Sequence, residues 1–300
     1  MPFYSASSSA SSFEAALAPF VMDEGLPFAN VLSAEHIEQA CRAEGVSFGR
    51  SRRSVYTAAV TLWTFLSQVL SGEQRSCRAA ALRVLTLCIT LGRGPCSTDT
   101  GMYCRARAKL TAPLLRRLTY EVAERLQQAV PRRWLWHGRH VYLADGATVT
   151  LPDTAANQDA YPQPPSQKPG VGFPMIRMLV LLSLATAALH GLALGPYEGK
   201  ETGETALLRQ LFDRLPFGSV LLADRFYCSY FMVALLREHG VDVVFRLHHR
   251  RHVDFRRGRR LGRNDHIVEW KRPERPDWMD ADTYADGERG QTPISDKTDH

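Results

Sequence analysis

The sequence predicts an α/β protein, a mixed-sheet core preceded by an all-α region. Three observations predict it. From about residue 30 to 130, apolar residues recur at helical spacing. From about 139 the pattern shifts to short runs that alternate or stay apolar throughout, as half-buried and fully buried strands do. Helical stretches fall between those runs, giving the order β, ββ hairpin, α, β, α, β. The chain has 300 residues and is 45% hydrophobic, enough for two domains rather than one. The pattern divides it into a leader over 1–12, an all-α region over 13–137, a sheet core over 138–247, and a segment over 248–300 that starts a β-rich insertion and ends in a polar tail.

Each element has its own signal. SASSSASS at 5–12 is low-complexity and is expected to be disordered. Ser33 or Asn30 caps a first helix, AEHIEQACRAEG, which Gly45 ends. Residues 55–70 are apolar almost all round and read as a buried helix, with Trp63 in the core. A helix from about Ser76 to Leu91 stops at the Gly92-Arg93-Gly94-Pro95 breaker. Ser97 or Asp99 opens a short basic helix carrying Arg105, Arg107 and Lys109. Thr111 with Pro113 starts another, with Leu114, Leu118, Val122 and Leu126 at i+4. HVYLAD at 140–145 is a strand ending on a carboxylate, and TVTLP a second short extended piece. Residues 155–174 lack periodicity and read as a loop. Residues 175–197 form two apolar strands, GKETGETALLRQLFDRL a loop into an amphipathic helix, and SVLLAD at 219–224 a buried strand ending on a second carboxylate. Phe226–His239 reads as a helix with Gly240 after it, and DVVFRL at 242–247 as a third buried strand.

Bulk properties exclude several classes. The net charge is +6 and the pI near 9.1. Residues 1–140 hold 17 Lys and Arg against 10 Asp and Glu, so the excess sits N-terminally. The six cysteines form no Cys-x-x-Cys pair, which argues for reduced thiols rather than a zinc site. No basic stretch followed by an apolar run marks a signal peptide. Met178–Gly195 is barely long enough to span a bilayer, and His190 and Gly191 interrupt it, so two strands joined by a turn fit better. There is no phosphate loop, dinucleotide fingerprint or nucleophile elbow, and no small-molecule cofactor is expected.

The element order matches the ribonuclease H-like fold, in which the first strand lies beside the fourth. Asp145 and Asp224 would then be neighbours in space. Two carboxylates on rigid strand ends suit Mg²⁺, a hard cation that prefers carboxylate oxygen and keeps water. A pair of such ions can neutralise a phosphodiester and activate an oxygen nucleophile. An Asp ending a strand also serves as a turn former or helix cap, so the pattern alone leaves both readings open. The same holds for Asp153 in LPDT, where a turn role is favoured.

Longer stretches carry a resemblance. VYLADGATVTLPDTAANQDAYPQPPSQKPGVGFPMIRMLVLLSLATAAL resembles the segment around the first catalytic Asp of DDE-type insertion-sequence transposases of the IS-four type. GPYEGKETGETALLRQLFDRL and SVLLADRFYCSYFMVALLREHGVDVVFRLHHRR resemble the second-Asp region of that family. LWTFLSQVLSGEQRSCRAA, PCSTDTGMYCRARAKL and DHIVEWKRPERPDWMD are similar to its flanking pieces, and the likeness covers roughly 30–285.

The resemblance implies a ribonuclease H-like catalytic core in which Asp145 and Asp224 bind two Mg²⁺ (or Mn²⁺) ions. It implies a bacterial, cytoplasmic, nucleoid-associated enzyme, without a membrane, that cuts double-stranded DNA at transposon ends and joins it to target DNA, with a homodimer on DNA as a partner arrangement. Arg225, beside the second Asp, is a phosphate-contact candidate. The family's third carboxylate is a Glu in a Tyr-x-x-Arg-x-x-x-Glu-x(6)-Lys signature, and no such signature occurs in 248–300. Glu269 lies in a strand-like setting, and Glu198, Glu201 and Glu204 precede the second Asp. The final DGERGQTPISDKTDH has no apolar periodicity and does not align to the family. The expectation is a C-terminally truncated chain with one sheet face uncovered and cleavage slow or absent. Residues 246–263 hold eight Arg and three His against one Asp, making Arg246, Arg250, Arg251, Arg256, Arg257, Arg259 and Arg260 DNA-contact candidates. His248, His249 and His252 read as part of that cationic surface rather than as metal ligands. Arg105, Arg107 and Lys109 are a second DNA candidate, in the region like the family's helical end-binding domain. Two alternatives stand beside the transposase: a non-catalytic DNA-binding remnant or regulator, and a metal-dependent nuclease of the same fold.

Overall fold

The computed structural model describes residues 32–49, 54–72, 74–168, 170–247, 258–263, 265–268, 270–286 and 294–297. The chain divides into two compact units, Met1–Leu126 and Gln127–His300.

The described part of the first unit is helical: α1 (Ala34–Ala43), α2 (Ala58–Leu70), α3 (Cys77–Thr90), α4 (Thr100–Arg107) and α5 (Ala112–Gln128). The side chains of Ser33, Thr57, Ser76 and Asp99 accept from first-turn amides of the first four, satisfying donors that have no intrahelical partner. Ser33 and Asp99 are thus the caps used. Two apolar clusters form. Ile37, Leu62, Trp63, Leu114 and Leu118 join α1, α2 and α5, while Tyr56, Val84, Cys88, Tyr103 and Ala106 join α3 and α4. All six cysteines are free thiols.

The second unit is built on β1 (Val141–Thr150), β2 (Met175–Ser183), β3 (Leu189–Pro196), β4 (Val220–Ala223) and β5 (Asp242–Phe245). The sheet order is β3-β2-β1-β4-β5. β2 is antiparallel to β1 and β3, while β4 is parallel to β1 and β5. A mixed five-stranded sheet in this order fits a ribonuclease H-like core. The apolar stretch Met178–Gly195 is the β2–β3 hairpin, and no described helix is long and apolar enough to cross a membrane.

Several local expectations are corrected. TVTLP is not a separate piece and the strand does not end on Asp145: β1 runs on to Thr150, paired with β2 throughout. The segment read as a loop contains a short helix, α6 (Ala155–Ala160), capped by the Thr154 hydroxyl. The amphipathic stretch before β4 is broken into α7 (Glu204–Arg209) and a 3-10 turn at Phe212–Arg214. The helix expected from Phe226 starts later, as α8 (Tyr230–Glu238), because Ser229 caps it and residues 224–229 are spent on turns. The polar tail also forms a strand. β8 (Ile294–Lys297) pairs antiparallel with β7 (Asp265–Val268), which pairs with β6 (Arg259–Gly262). Backbone pairing needs no apolar periodicity, so composition gave no warning. A last short helix, α9, spans Ala281–Asp286.

Strand alternation sorts the main sheet into two faces. Tyr142, Ala144, Leu179, Leu181, Ala193 and Leu221 point to one face and bury against Leu207, Leu208, Leu211, Met232 and Leu236 of α7, α8 and the turn between them. On the other face Leu143, Leu194 and Val244 are 37%, 37% and 53% exposed, and Asp145 follows Leu143 on that side. These partly exposed apolar side chains share the face that carries Asp145.

Candidate functional site

Asp145 lies in β1 and Asp224 just after β4, strands that run parallel to each other. The parallel register pairs Val141 with Val220, Tyr142 with Leu221 and Leu143 with Leu222. Asp145 and Asp224 each lie two residues beyond that last pair. The β1–β4 ladder ends at that pair; beyond it Asp145 continues β1 while Asp224 follows β4, at the same end of the two parallel strands. Both are exposed. Asp145 Oδ1 accepts from the Gly146 amide at 2.9 Å, and Asp224 Oδ1 accepts from the Phe226 amide at 2.7 Å. The second oxygen of each accepts nothing from a described residue.

A third carboxylate stands close by on the helix-covered face. Glu204, the first residue of α7, accepts a 2.9 Å hydrogen bond from the Tyr227 hydroxyl. A Cβ built at Gly146 would come within 2.6 Å of both Glu204 oxygens, so the carboxylate lies flat against the backbone next to Asp145. Tyr227 is 1% exposed. Its phenol is held well above the ordinary range, first by burial, then by the Glu204 hydrogen bond, with Glu204, Asp145 and Asp224 adding negative charge nearby. Sequence order pointed away from Glu204 because it precedes the second Asp; the signal that could have found it is a glycine directly after the first Asp, which leaves room for a large neighbour.

Oxygen donors with free lone pairs, one inside β1 and one just after β4, fit a hard divalent cation, which Mg²⁺ sites often hold through one or two carboxylates, with water and phosphate filling the rest. No group of three or more His, Cys, Asp or Glu is arranged to hold a metal among the described residues. Asp153 is turned to local structure, accepting from the Gln158 side chain.

The candidate cations separate into three groups. Arg225, Arg246, Arg259 and Arg260 are exposed, with Arg260 also donating to the Gly262 carbonyl. Arg250, Arg251, Arg256 and Arg257 lie outside the described residues, as do Glu269 and the three histidines of that run. On α4 only Arg105 is exposed and free of such ties. Arg107 donates to Gln68 Oε1 and Cys77 Sγ and lies over the Tyr103 ring, while Lys109 donates to the Ser47 carbonyl and lies over Phe48. Those two side chains are committed to the helical fold.

The family model described as Transposase DDE domain matches residues 136–290. Over 167 residues the chain is 25% identical to the transposase InsG for insertion sequence element IS4 of Escherichia coli (strain K12), covering 56% of this chain and 37% of that protein. It is 26% identical over 108 residues to the protein named Putative transposase InsZ of the same organism, covering 36% and 35%. The chain thus spans little more than a third of the length of these curated relatives. The family match takes in more than half of the chain and all five strands of the main sheet, with Asp145 and Asp224, and on that ground the chain belongs to the family of transposases with a DDE domain.

Proposed function

We propose that this chain serves DNA transposition by divalent-metal-dependent hydrolysis and strand transfer of phosphodiesters at transposon ends, with Asp145 and Asp224 as the carboxylates that hold Mg²⁺ or Mn²⁺. The observation that supports the reading is the parallel pairing of β1 and β4, with Asp145 and Asp224, both exposed, beyond the same end of that ladder. The bound cation would offset phosphate charge and lower the pKa of an attacking hydroxyl. The chain's own residues supply the rest. The backbone amides of Gly146 and Phe226 each engage one oxygen of the neighbouring Asp and leave the other for the cation. Arg225, exposed beside Asp224, is placed to meet a phosphate oxygen with its guanidinium fork. Arg246, Arg259 and Arg260 extend positive charge for double-stranded DNA, and their contacts would go to backbone, positioning rather than specifying. A homodimer on DNA belongs to the same proposal.

The test is cleavage of the element's own end DNA with Mg²⁺ or Mn²⁺, with Asp145→Asn and Asp224→Asn alongside. Metal-dependent cleavage that drops by at least about 100-fold in either variant supports the reading. Undiminished cleavage by Asp145→Asn defeats it. A second reading, DNA binding without cleavage, is favoured by one observation: no three-carboxylate metal group exists among the described residues. End-specific binding with no cleavage at any metal concentration would select it.

A further inference from the structure

We infer that Glu204 and Tyr227 form a strut that positions Asp145 and Asp224 relative to each other, with Gly146 as its seat. The inference deepens the proposed cation site and rests on it. Asp224 is not in a strand. It follows β4 and enters a turn, where the Tyr227 amide donates to the Asp224 carbonyl and the Cys228 amide to the Arg225 carbonyl, both at 3.3 Å. Such long bonds leave the turn weakly fixed by its own backbone. The Phe226 amide holds the Asp224 side chain on the turn at 2.7 Å, so what remains to be set is the turn relative to β1 and Asp145, which takes an anchor outside the turn.

Tyr227 provides it. Its ring is buried in the cluster under the sheet, and its hydroxyl reaches Glu204 at 2.9 Å. Glu204 begins α7, whose Leu207 and Leu208 are fully buried against the same face, so the carboxylate stands on a rigid base. It lies against Gly146, the residue after Asp145, with no room for a Cβ between them. One side chain thus bridges the backbone next to the first Asp and the turn that carries the second. A hydrogen bond to a charged acceptor is the stronger kind, which suits the role of a fixed spacer.

Glu204 lies on the face opposite Asp145, behind the backbone rather than beside the open oxygens, so it acts through position and not as a ligand. Glu204→Gln keeps an acceptor for the Tyr227 hydroxyl and keeps the fit against Gly146. Glu204→Ala and Tyr227→Phe remove the link. Gly146→Ala pushes a methyl into the carboxylate.

The experiment is Mn²⁺ binding by the full chain, read from the electron paramagnetic resonance signal of free Mn²⁺, with a thermal melt of each variant as the control for folding. Wild type and Asp145→Asn define the site. The expected result is a dissociation constant raised about tenfold or more in Tyr227→Phe and Glu204→Ala, and within about threefold of wild type in Glu204→Gln. Tyr227→Phe is nearly isosteric, so it remains informative if Gly146→Ala fails to fold. A Tyr227→Phe constant equal to wild type overturns the strut. So does a Glu204→Gln constant as weak as that of Glu204→Ala, which would make Glu204 a charge contributor instead. If wild type binds no Mn²⁺ that Asp145→Asn loses, the cation site itself fails and the strut falls with it.

Discussion

Arg105 and Arg107 are two residues apart on α4 and have opposite surroundings. Arg107 shares the acceptor Gln68 Oε1 with the Tyr103 hydroxyl, which reaches it at 2.5 Å, while Gln68 Nε2 donates to the Arg75 carbonyl at 2.8 Å. Gln68 is 7% exposed and Tyr103 fully buried, so this is an interior network in which each lost partner leaves a desolvated group behind. Arg107→Ala is expected to lower unfolding free energy by about 1–2 kcal/mol in a urea titration. It should leave the salt dependence of DNA binding unchanged. Arg105→Ala should do the reverse, leaving the urea midpoint within about 0.5 kcal/mol of wild type and reducing the slope of log K against log salt by about one contact. A changed slope in Arg107→Ala, with Arg105→Ala silent, would show that α4 meets DNA through its inner edge.

At the scale of elements, one guanidinium fastens the end of the sheet away from the carboxylates. Arg139, just before β1, donates to the carbonyls of Gly218 and Ser219 ahead of β4 at 2.7 and 2.9 Å, and to Asp242 at the start of β5 at 2.8 Å. Three strands are tied at their N-terminal ends by a planar fork that an ammonium group cannot reproduce. Arg139→Lys is therefore expected to cost about 1.5–3 kcal/mol by chemical denaturation, with the melt still cooperative. A loss under about 0.5 kcal/mol would mean that β-ladder bonds alone hold that edge. Sequence legibility divides along the same line. SVLLAD, DVVFRL and MLVLLSLATAAL were readable because continuous apolar runs have few uses other than buried strands, and the caps Ser33 and Asp99 because their side chains act within one turn. Asp224 was legible as the residue that closes a strand, whereas Asp145 lies inside β1, which runs on to Thr150. Arg139, the Glu204–Tyr227 contact and β8 were not, since each depends on pairings between segments far apart in sequence, which carry no local periodicity. The late start of α8 was missed because Phe226 and Tyr227 continue an apolar helical pattern while Ser229 takes the cap.

On the scale of the whole molecule, both units are held by tyrosines that must stay neutral. Burial pushes Tyr56 and Tyr103 in the first unit, and Tyr142 in the second, from an ordinary 10.0 up to about 12. Tyr227 is raised as well, by burial and by the Glu204 hydrogen bond. Between those two values the unfolded chain gives up phenolic protons that the folded chain keeps, so rising pH favours unfolding. The stabilisation linked to Tyr56, Tyr103 and Tyr142 is complete below about pH 10 and is lost as pH climbs through about 12. Urea midpoints should hold level up to about pH 9.5 on this account and fall steadily above it. Tyr142→Phe separates this effect from general charge repulsion. It removes one buried hydroxyl from the main sheet, where the ring packs with Leu179, Leu181 and Leu221, and leaves that packing intact. The variant should match wild type within about 1 kcal/mol near pH 8 and lose less stability between about pH 10 and 11.5. Parallel curves for variant and wild type across that interval would mean that Tyr142 ionises without unfolding the sheet, and the alkaline transition would then have to arise from the other three phenols.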